Sequence, residues 1–262
     1  MGPPSGALPP GGRCGQTGWM CGRYFQQRSS GDVARHFKVT GAIANLPPSF
    51  NRAPTQDGLV LRRHPETGAR HLDALRWGLV PRWAKDASGG ARMINVRSET
   101  AAEKPAFRDA FAKRRCIAVA DGFYEWQQHG PKGAKQPFAV AMADGAPMPL
   151  AALWEGWRAP DGTILRSFTI LTTAAVPELA VLHDRMPVIL PPESWAAWLG
   201  EASADEAALH ALLQPYPRAG LAVWPVGSRV GRVAEDDAGL IARDPLAVAP
   251  PGLDDPPLRF DG

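Results

Sequence analysis

CIAVADGFYEWQQHGPKGAKQPFAVAMADGAPMPLAALWEGW, residues 116–157, is the stretch whose reading decides the fold class. Cys116–Ala120 is a short apolar run, the length of a buried strand. Phe138, Val140 and Met142 alternate with small residues, the period-two pattern of a half-buried strand. Leu150–Trp157 reads as a third strand. Upstream, Gly58–Leu61 and His71–Leu79 read as strands, the second running into a turn at Pro81; downstream, Ser167–Thr172 continues the series. Helices are inserted at intervals. Asp32–Phe37 is a brief one. Pro105 opens another that runs through Arg115, with Phe107 and Phe111 on one face at i, i+4 spacing. Pro192–Leu199 is a third, stopped by Gly200. A fourth ends at Leu213, with Ser203 and Glu206 spaced as a capping box. The predicted class is α+β: a single domain with a curved, largely antiparallel, barrel-like β-sheet and peripheral helices. The regular βαβα alternation of a doubly wound fold is absent. Neither GxGxxG nor GxxxxGK(S/T) occurs, so nothing reads as a nucleotide cradle.

The chain has 262 residues, 45% of them hydrophobic, enough to bury a sizeable core without disulfides or metal. Residues 1–20, rich in Gly and Pro, read as a leader or a mis-assigned start. Residues 21–245 are the expected domain, and 246–262 a loose Pro-rich tail. The first twenty residues have no apolar h-region and only Arg13 as a positive charge, unlike a secretory signal. No stretch is long and apolar enough to span a bilayer. Cys14, Cys21 and Cys116 form an odd, sparse set without CxxC, which points to a reducing compartment and away from a disulfide framework or a zinc site. A cytoplasmic monomer without metal or organic cofactor is expected. The net charge is +3, but residues 201–262 carry five Arg against ten Asp or Glu. Residues 1–200 hold 24 Lys and Arg against 16 acids. That basic body suits a phosphate backbone and suits ordinary solubility equally.

Five segments hold most of the unusual side chains: MCGRY at 20–24, NRAP at 51–54, INVRSET at 94–100, ADGFYEW at 120–126 and HDRMP at 183–187. Loop-like polar clusters between aromatics and apolar strands are where sites tend to lie. In order and wording these segments resemble the SRAP family (SOS-response-associated peptidase, also called abasic-site processing proteins). WGLVPRW at 77–83, LTTAA at 171–175 and VGSRVGRV at 226–233 extend the resemblance, which runs from Met20 to about Arg243. It implies a single α+β domain around a distorted β-barrel. It also implies a DNA-damage-response protein that captures abasic sites in single-stranded DNA as a covalent crosslink.

Under that resemblance Cys21 is the nucleophile. Removing Met20 from MCGR leaves Cys as the first residue. An α-amine has a pKa near 7.7–8.0, so roughly a tenth is neutral at pH 7. The neutral amine attacks the C1′ aldehyde of the opened deoxyribose, and water leaves to give an imine. The thiol then closes on the imine carbon as a stable thiazolidine. As numbered, however, Cys21 has an acylated nitrogen, which is no nucleophile. Either translation begins at Met20, or proteolysis removes residues 1–20, the self-removal that the word peptidase in the family name reflects. The ordinary reading of a lone Cys is a small buried hydrophobe.

The resemblance also assigns the partners of Cys21. Asn95 lines the pocket and Arg97, on the same side of the strand, binds a phosphate; read alone, they are a turn former and a surface salt bridge with Glu99. Glu125, among Phe123, Tyr124 and Trp126, is expected to be desolvated, raised in pKa and able to act as acid and base in turn, unless its strand turns it to water. His183, steadied by Asp184 or backbone, assists proton transfer. Arg23, Arg52, Arg82, Arg97 and Arg185, with Trp77 and Trp83, are candidates for the DNA surface. Trp83, in a turn, is the better wedge and Trp77 the better core residue. Thr173 is placed near a phosphate or the sugar, or is simply a strand Thr. Relatives usually carry a small apolar residue where Arg52 stands, which leaves its role open. Two alternatives remain: a cysteine-type peptidase or amidase using Cys21 and His183, and a non-covalent single-stranded DNA binder.

Overall fold

The computed structural model describes residues 22–128 and 135–258; the expected leader at 1–20 lies outside them. Its strands are β1 (Arg23–Gln26), β2 (Ser49–Arg52), β3 (Asp57–Arg63), β4 (Arg70–Trp77), β5 (Asn95–Arg97) and β6 (Arg115–Ala120). They continue as β7 (Gly122–Gln128), β8 (Lys135–Met142), β9 (Met148–Arg158), β10 (Ile164–Ala174), β11 (Arg185–Pro187) and β12 (Leu221–Pro225). The helices are α1 (Ser30–His36), α2 (Arg108–Lys113), α3 (Trp195–Leu199) and α4 (Glu206–Ala211). No helix among the described residues is long and apolar enough to cross a membrane.

The pairing makes a closed ring. β3 pairs with β4 and β6, β6 with β9, β9 with β10, and β10 returns to β4. This five-stranded barrel is antiparallel at every seam except β10–β4, which is parallel. Past that seam β10 carries two short strands, β5 parallel on one edge and β11 antiparallel on the other. A second sheet, antiparallel throughout, has the order β12-β8-β7-β1-β2. The α+β class with a barrel-like, largely antiparallel sheet is therefore observed.

Period-two alternation divides the side chains between cores. Val60, Trp77, Ala118, Leu150 and Ile170 of the barrel join Tyr24, Phe123 and Phe138 of the second sheet in one core. Leu59, Leu61, Ile117, Leu153 and Leu171 point the other way and meet the helices through Val33, Phe37, Phe111 and Trp198. The far face of the second sheet, with Phe25, Tyr124 and Trp224, is covered by Val226, Val230 and Leu240.

Several local expectations shift. The helix expected from Pro105 to Arg115 is cut to Arg108–Lys113, because turns fill the segment before it. The predicted capping box is not the cap used: Asp205, not Ser203, accepts from the Ala208 N–H at 2.8 Å. ADGFYEW, read as a loop-like cluster, contributes most of β7, whose ladder runs against both β1 and β8. The tail is not loose where it is described. Leu246 and Val248 are exposed, but Leu253 is fully buried in the first core. Asp255 exchanges hydrogen bonds with the backbone of Val223 (2.8 and 2.9 Å) and pairs with Arg218 at 2.5 Å. Apolar burial at Leu253 and the bonds of a half-exposed carboxylate outweigh the Pro-rich composition. Leu253→Ala is expected to lower unfolding free energy by about 2–5 kcal/mol, measured by urea denaturation; a loss below about 0.5 kcal/mol would show that the strap is not packed.

Candidate functional site

β1 carries the segment that follows Cys21, which itself lies outside the described residues. Its neighbours place the first candidate. Arg23 is opposite Tyr124 and Tyr24 opposite Phe123 on β7, so Glu125 sits beside the N-terminal end of β1. Glu125 shares strand parity with Phe123 and lies opposite Phe138, both in the first core. Its side chain is turned inward: the residue is 5% exposed, and Oε1 accepts from the Trp126 N–H at 3.2 Å. The strand reading of GFYEW is correct, but the carboxyl does not face water.

The other candidates gather around β10. Asn95 pairs with Ile170 and Arg97 with Thr172 across the parallel β5–β10 seam. Thr173, buried, pairs with Met186 on β11. His183 stands in the turn before β11. Its Nδ1 accepts from the Arg185 N–H at 3.0 Å, and the exposed Asp184 carboxylate lies 2.9 Å from the same nitrogen. These contacts ask opposite things of Nδ1. The backbone bond is fixed by strand pairing, whereas solvent screens Asp184. The neutral ring is thus the Nε2–H tautomer. Glu125, Asn95, Thr173 and His183 are neighbours, in chain or across a strand, of Phe138, Ile170, Met186 and Leu182, all members of one core.

The arginines divide sharply. Arg97 is exposed and has no ion pair among the described residues. Arg23 turns inward, donating to Asn51 Oδ1 (2.9 Å), Val230 O (2.8 Å) and Gly231 O (3.3 Å), and burial lowers its pKa. Arg185 donates through both terminal nitrogens to the Glu99 carboxylate and also to Thr172 O. Those bonds hold Glu99 down at about 2. Glu99, the carboxylate that Arg97 read alone would pair with, is thus held by Arg185. Arg52 is buried, with Nη2 on Pro47 O at 3.0 Å. Arg82 stays exposed, 4.0 Å from Glu155. In this structure the guanidinium groups of Arg23, Arg52 and Arg185 are all on acceptors of the protein itself.

Trp77 is fully buried, its Nε1 donating to Ile94 O at 3.0 Å. Trp83 is 64% exposed and borders an open cavity of about 210 Å³ with Lys85, Asp86, Ser88, Arg92 and Met93. Cys116 is buried, which pushes its thiol well up and makes it a poor nucleophile. Among the described residues no group of three or more His, Cys, Asp or Glu is placed to hold a metal ion.

The family model described as SOS response associated peptidase (SRAP) matches residues 20–233. The chain belongs to the SRAP family. Within it, the chain is 37% identical over 224 residues to the abasic site processing protein YoqW of Bacillus subtilis, covering 85% of this chain and 99% of that one. It is 34% identical to the abasic site processing protein YedK of Escherichia coli, covering 85% and 99%. A crystal structure of a Bordetella bronchiseptica protein, 30% identical, superposes with a TM-score of 0.67 over 79% of this chain and all of that one. One from Bacteroides thetaiotaomicron, 21% identical with a TM-score of 0.76 over 86% of this chain and all of that one, shares the fold.

In NRAP the sequence singles out Arg52, but it is Asn51 that ties β1 to the segment 230–235. Its Nδ2 donates to Arg232 O (2.9 Å) and Glu235 O (2.8 Å), with Val230 O at 3.2 Å, while Oδ1 accepts from Arg23. A polar side chain in the middle of a strand was the available signal. Asn51→Ala is expected to cost about 1–3 kcal/mol by leaving buried partners unmet. Amide exchange should quicken selectively at 226–237; unchanged exchange there would refute the anchor.

Proposed function

We propose that this chain processes abasic sites in single-stranded DNA, as a monomer in the reducing cytoplasm where the Cys21 thiol stays free. The observation that carries this reading is Glu125: a carboxyl buried beside the strand that Cys21 leads into. Family membership and the names of its relatives support the same reading. Capture begins when Glu125 donates a proton to the deoxyribose ring oxygen while the C1′ hydroxyl gives its proton to water, opening the ring to the aldehyde. The α-amine of Cys21, freed either by initiation at Met20 or by removal of residues 1–20, adds to C1′. Water leaves and the imine forms. The thiol then adds to the imine carbon, its proton passing to the nitrogen, and the thiazolidine closes. Glu125 as carboxylate collects the proton released by the attacking amine. Asn95 orients the sugar or the amine, Arg97 holds a phosphate, Thr173 bonds the strand or sugar, and Trp83 stacks beside the lesion.

The tautomer of His183 bears on the alternative hydrolase. A thiol hydrolase needs an imidazole nitrogen with a free lone pair toward the sulfur. Here Nδ1 already accepts from Arg185, and the neutral ring presents Nε2–H. His183 therefore suits a donor role at the sugar better than that of a base on Cys21.

The experiment is incubation with abasic single-stranded DNA followed by a denaturing gel. Protein whose first residue is Cys21 is expected to give a stable shifted band. Protein with residues 1–20 verified intact should give none, and equal yields would remove the α-amine from the mechanism. Glu125→Gln keeps shape but cannot exchange the proton. It should slow single-turnover crosslinking by about 10²–10⁴ with affinity for intact strands near wild type. A rate within a few-fold of wild type would take the acid role away from Glu125.

A further inference from the structure

Arg97 and Arg185 flank the same residue in opposite states. Thr172 is the partner of Arg97 in the β5–β10 seam, and its carbonyl accepts from Arg185 Nη2. Arg97 is exposed and unpaired among the described residues. The Arg185 side chain is only 11% exposed, and both Nη atoms are forked on Glu99, two residues along from Arg97. A carboxylate on that fork presents two oxygens and one negative charge, which is what a phosphodiester presents with its non-bridging oxygens. Glu99 itself is 51% exposed, so water and salt screen the pair and exchange for another anion is open.

We propose that Glu99 is a specificity-determining residue that occupies the phosphate fork of Arg185 in the free protein. It yields the fork only to a backbone phosphate that a captured lesion holds against the β5–β10 edge. This rests on the reading that a DNA strand crosses that edge. An intact strand, held by nothing else, meets Arg97 as a free cation and Arg185 as a neutralised one. Lesion-independent binding is thereby kept weak, while a crosslinked strand gains a second phosphate contact. The device differs from simple repulsion: Glu99 acts through the donors of Arg185, so its effect must vanish when those donors are removed.

The test is anisotropy titration of an intact single-stranded oligonucleotide across a series of KCl concentrations. It uses wild type, Glu99→Gln, Glu99→Ala, Arg185→Gln and the double variant Glu99→Gln/Arg185→Gln. Both Glu99 variants should bind more tightly at low salt, and their slope of log K against log salt should steepen by about 0.7, one added phosphate on a single strand. Arg185→Gln, which leaves the Glu99 carboxylate without its partner, should not steepen the slope. In the double variant the gain should disappear, a coupling that a mere loss of negative charge would not produce. Unchanged slopes in both Glu99 variants overturn the proposal, as does an equal gain with and without Arg185. Wild-type crosslinking to abasic DNA, run alongside, separates the failures. If it occurs while the slopes do not move, only the role of Glu99 falls; if wild type neither crosslinks nor binds a strand, the capture reading falls with it.

Discussion

β9 and β10 are the longest strands, and their pairing, from Arg158 against Ile164 to Ala152 against Ile170, turns a sheet with two edges into a ring. A closed ring has no free edge to slip, so the register of every strand in it is fixed by its neighbours. β10 is longer than the ring requires. Beyond the β4 seam its edges are exchanged: β5 takes one side at Ile170–Thr172, and β11 takes the other at Thr172–Ala174. Asn95, Arg97, Thr173 and Arg185 hang from this overhang, and His183 is tied to it through the Arg185 N–H. Strain or slippage at β9–β10 would displace all of them together.

The same logic holds the exposed aromatic in place. Trp83 stands in solvent, yet its loop is pinned on several sides. Val80 N–H donates to Ser167 Oγ on β10 at 2.8 Å, Leu79 N–H to Met93 O at 3.1 Å, and Trp157 Nε1 to Ala84 O at 2.7 Å. Gly78, at φ +115°, lets the chain leave β4 so close to Gly90 that a Cβ would meet its carbonyl at 2.6 Å. An aromatic presented by a rigid loop loses little entropy on stacking, which is the economy of a preorganised contact surface.

What the sequence disclosed follows from what each signal measures. Alternation reports the face of a strand, so Phe138, Val140 and Met142 share one core as their spacing predicts. Apolar fraction reports burial poorly in short segments: Leu253 sits in a Pro-rich run and is fully buried because its contacts come from the first core. Glu125 carried two signals in conflict, strand alternation and a charged side chain. Placement beside β1 decided between them, and no local pattern could. Partners distant in the chain were the least legible. Arg23 bonds Val230, 207 residues away, and Arg185 bonds Glu99, 86 away. An arginine announces its charge in a sequence but not its acceptor.

Acceptors within the fold limit what the basic composition can offer to a partner. Residues 1–200 carry an excess of Lys and Arg, and a count alone suggests a broad phosphate footprint. In the folded chain much of that charge is already committed. Arg28 pairs with buried Asp121, Arg62 with Asp73, Arg70 with Glu201, Arg114 with Glu155 and Arg185 with Glu99. Arg115 caps carbonyls of Phe111, Ala112 and Trp198. Among the described residues the cations left exposed near the candidate site are few: Arg97 on β5, Arg82 next to Trp83, and Lys85 and Arg92 on the cavity beside it. A strand crossing from Trp83 to β5 would therefore meet a narrow line of charge and not a basic field. On the proposed reading, affinity for undamaged DNA would rest on a handful of contacts, and discrimination for the lesion would fall to the chemistry around Glu125 and His183.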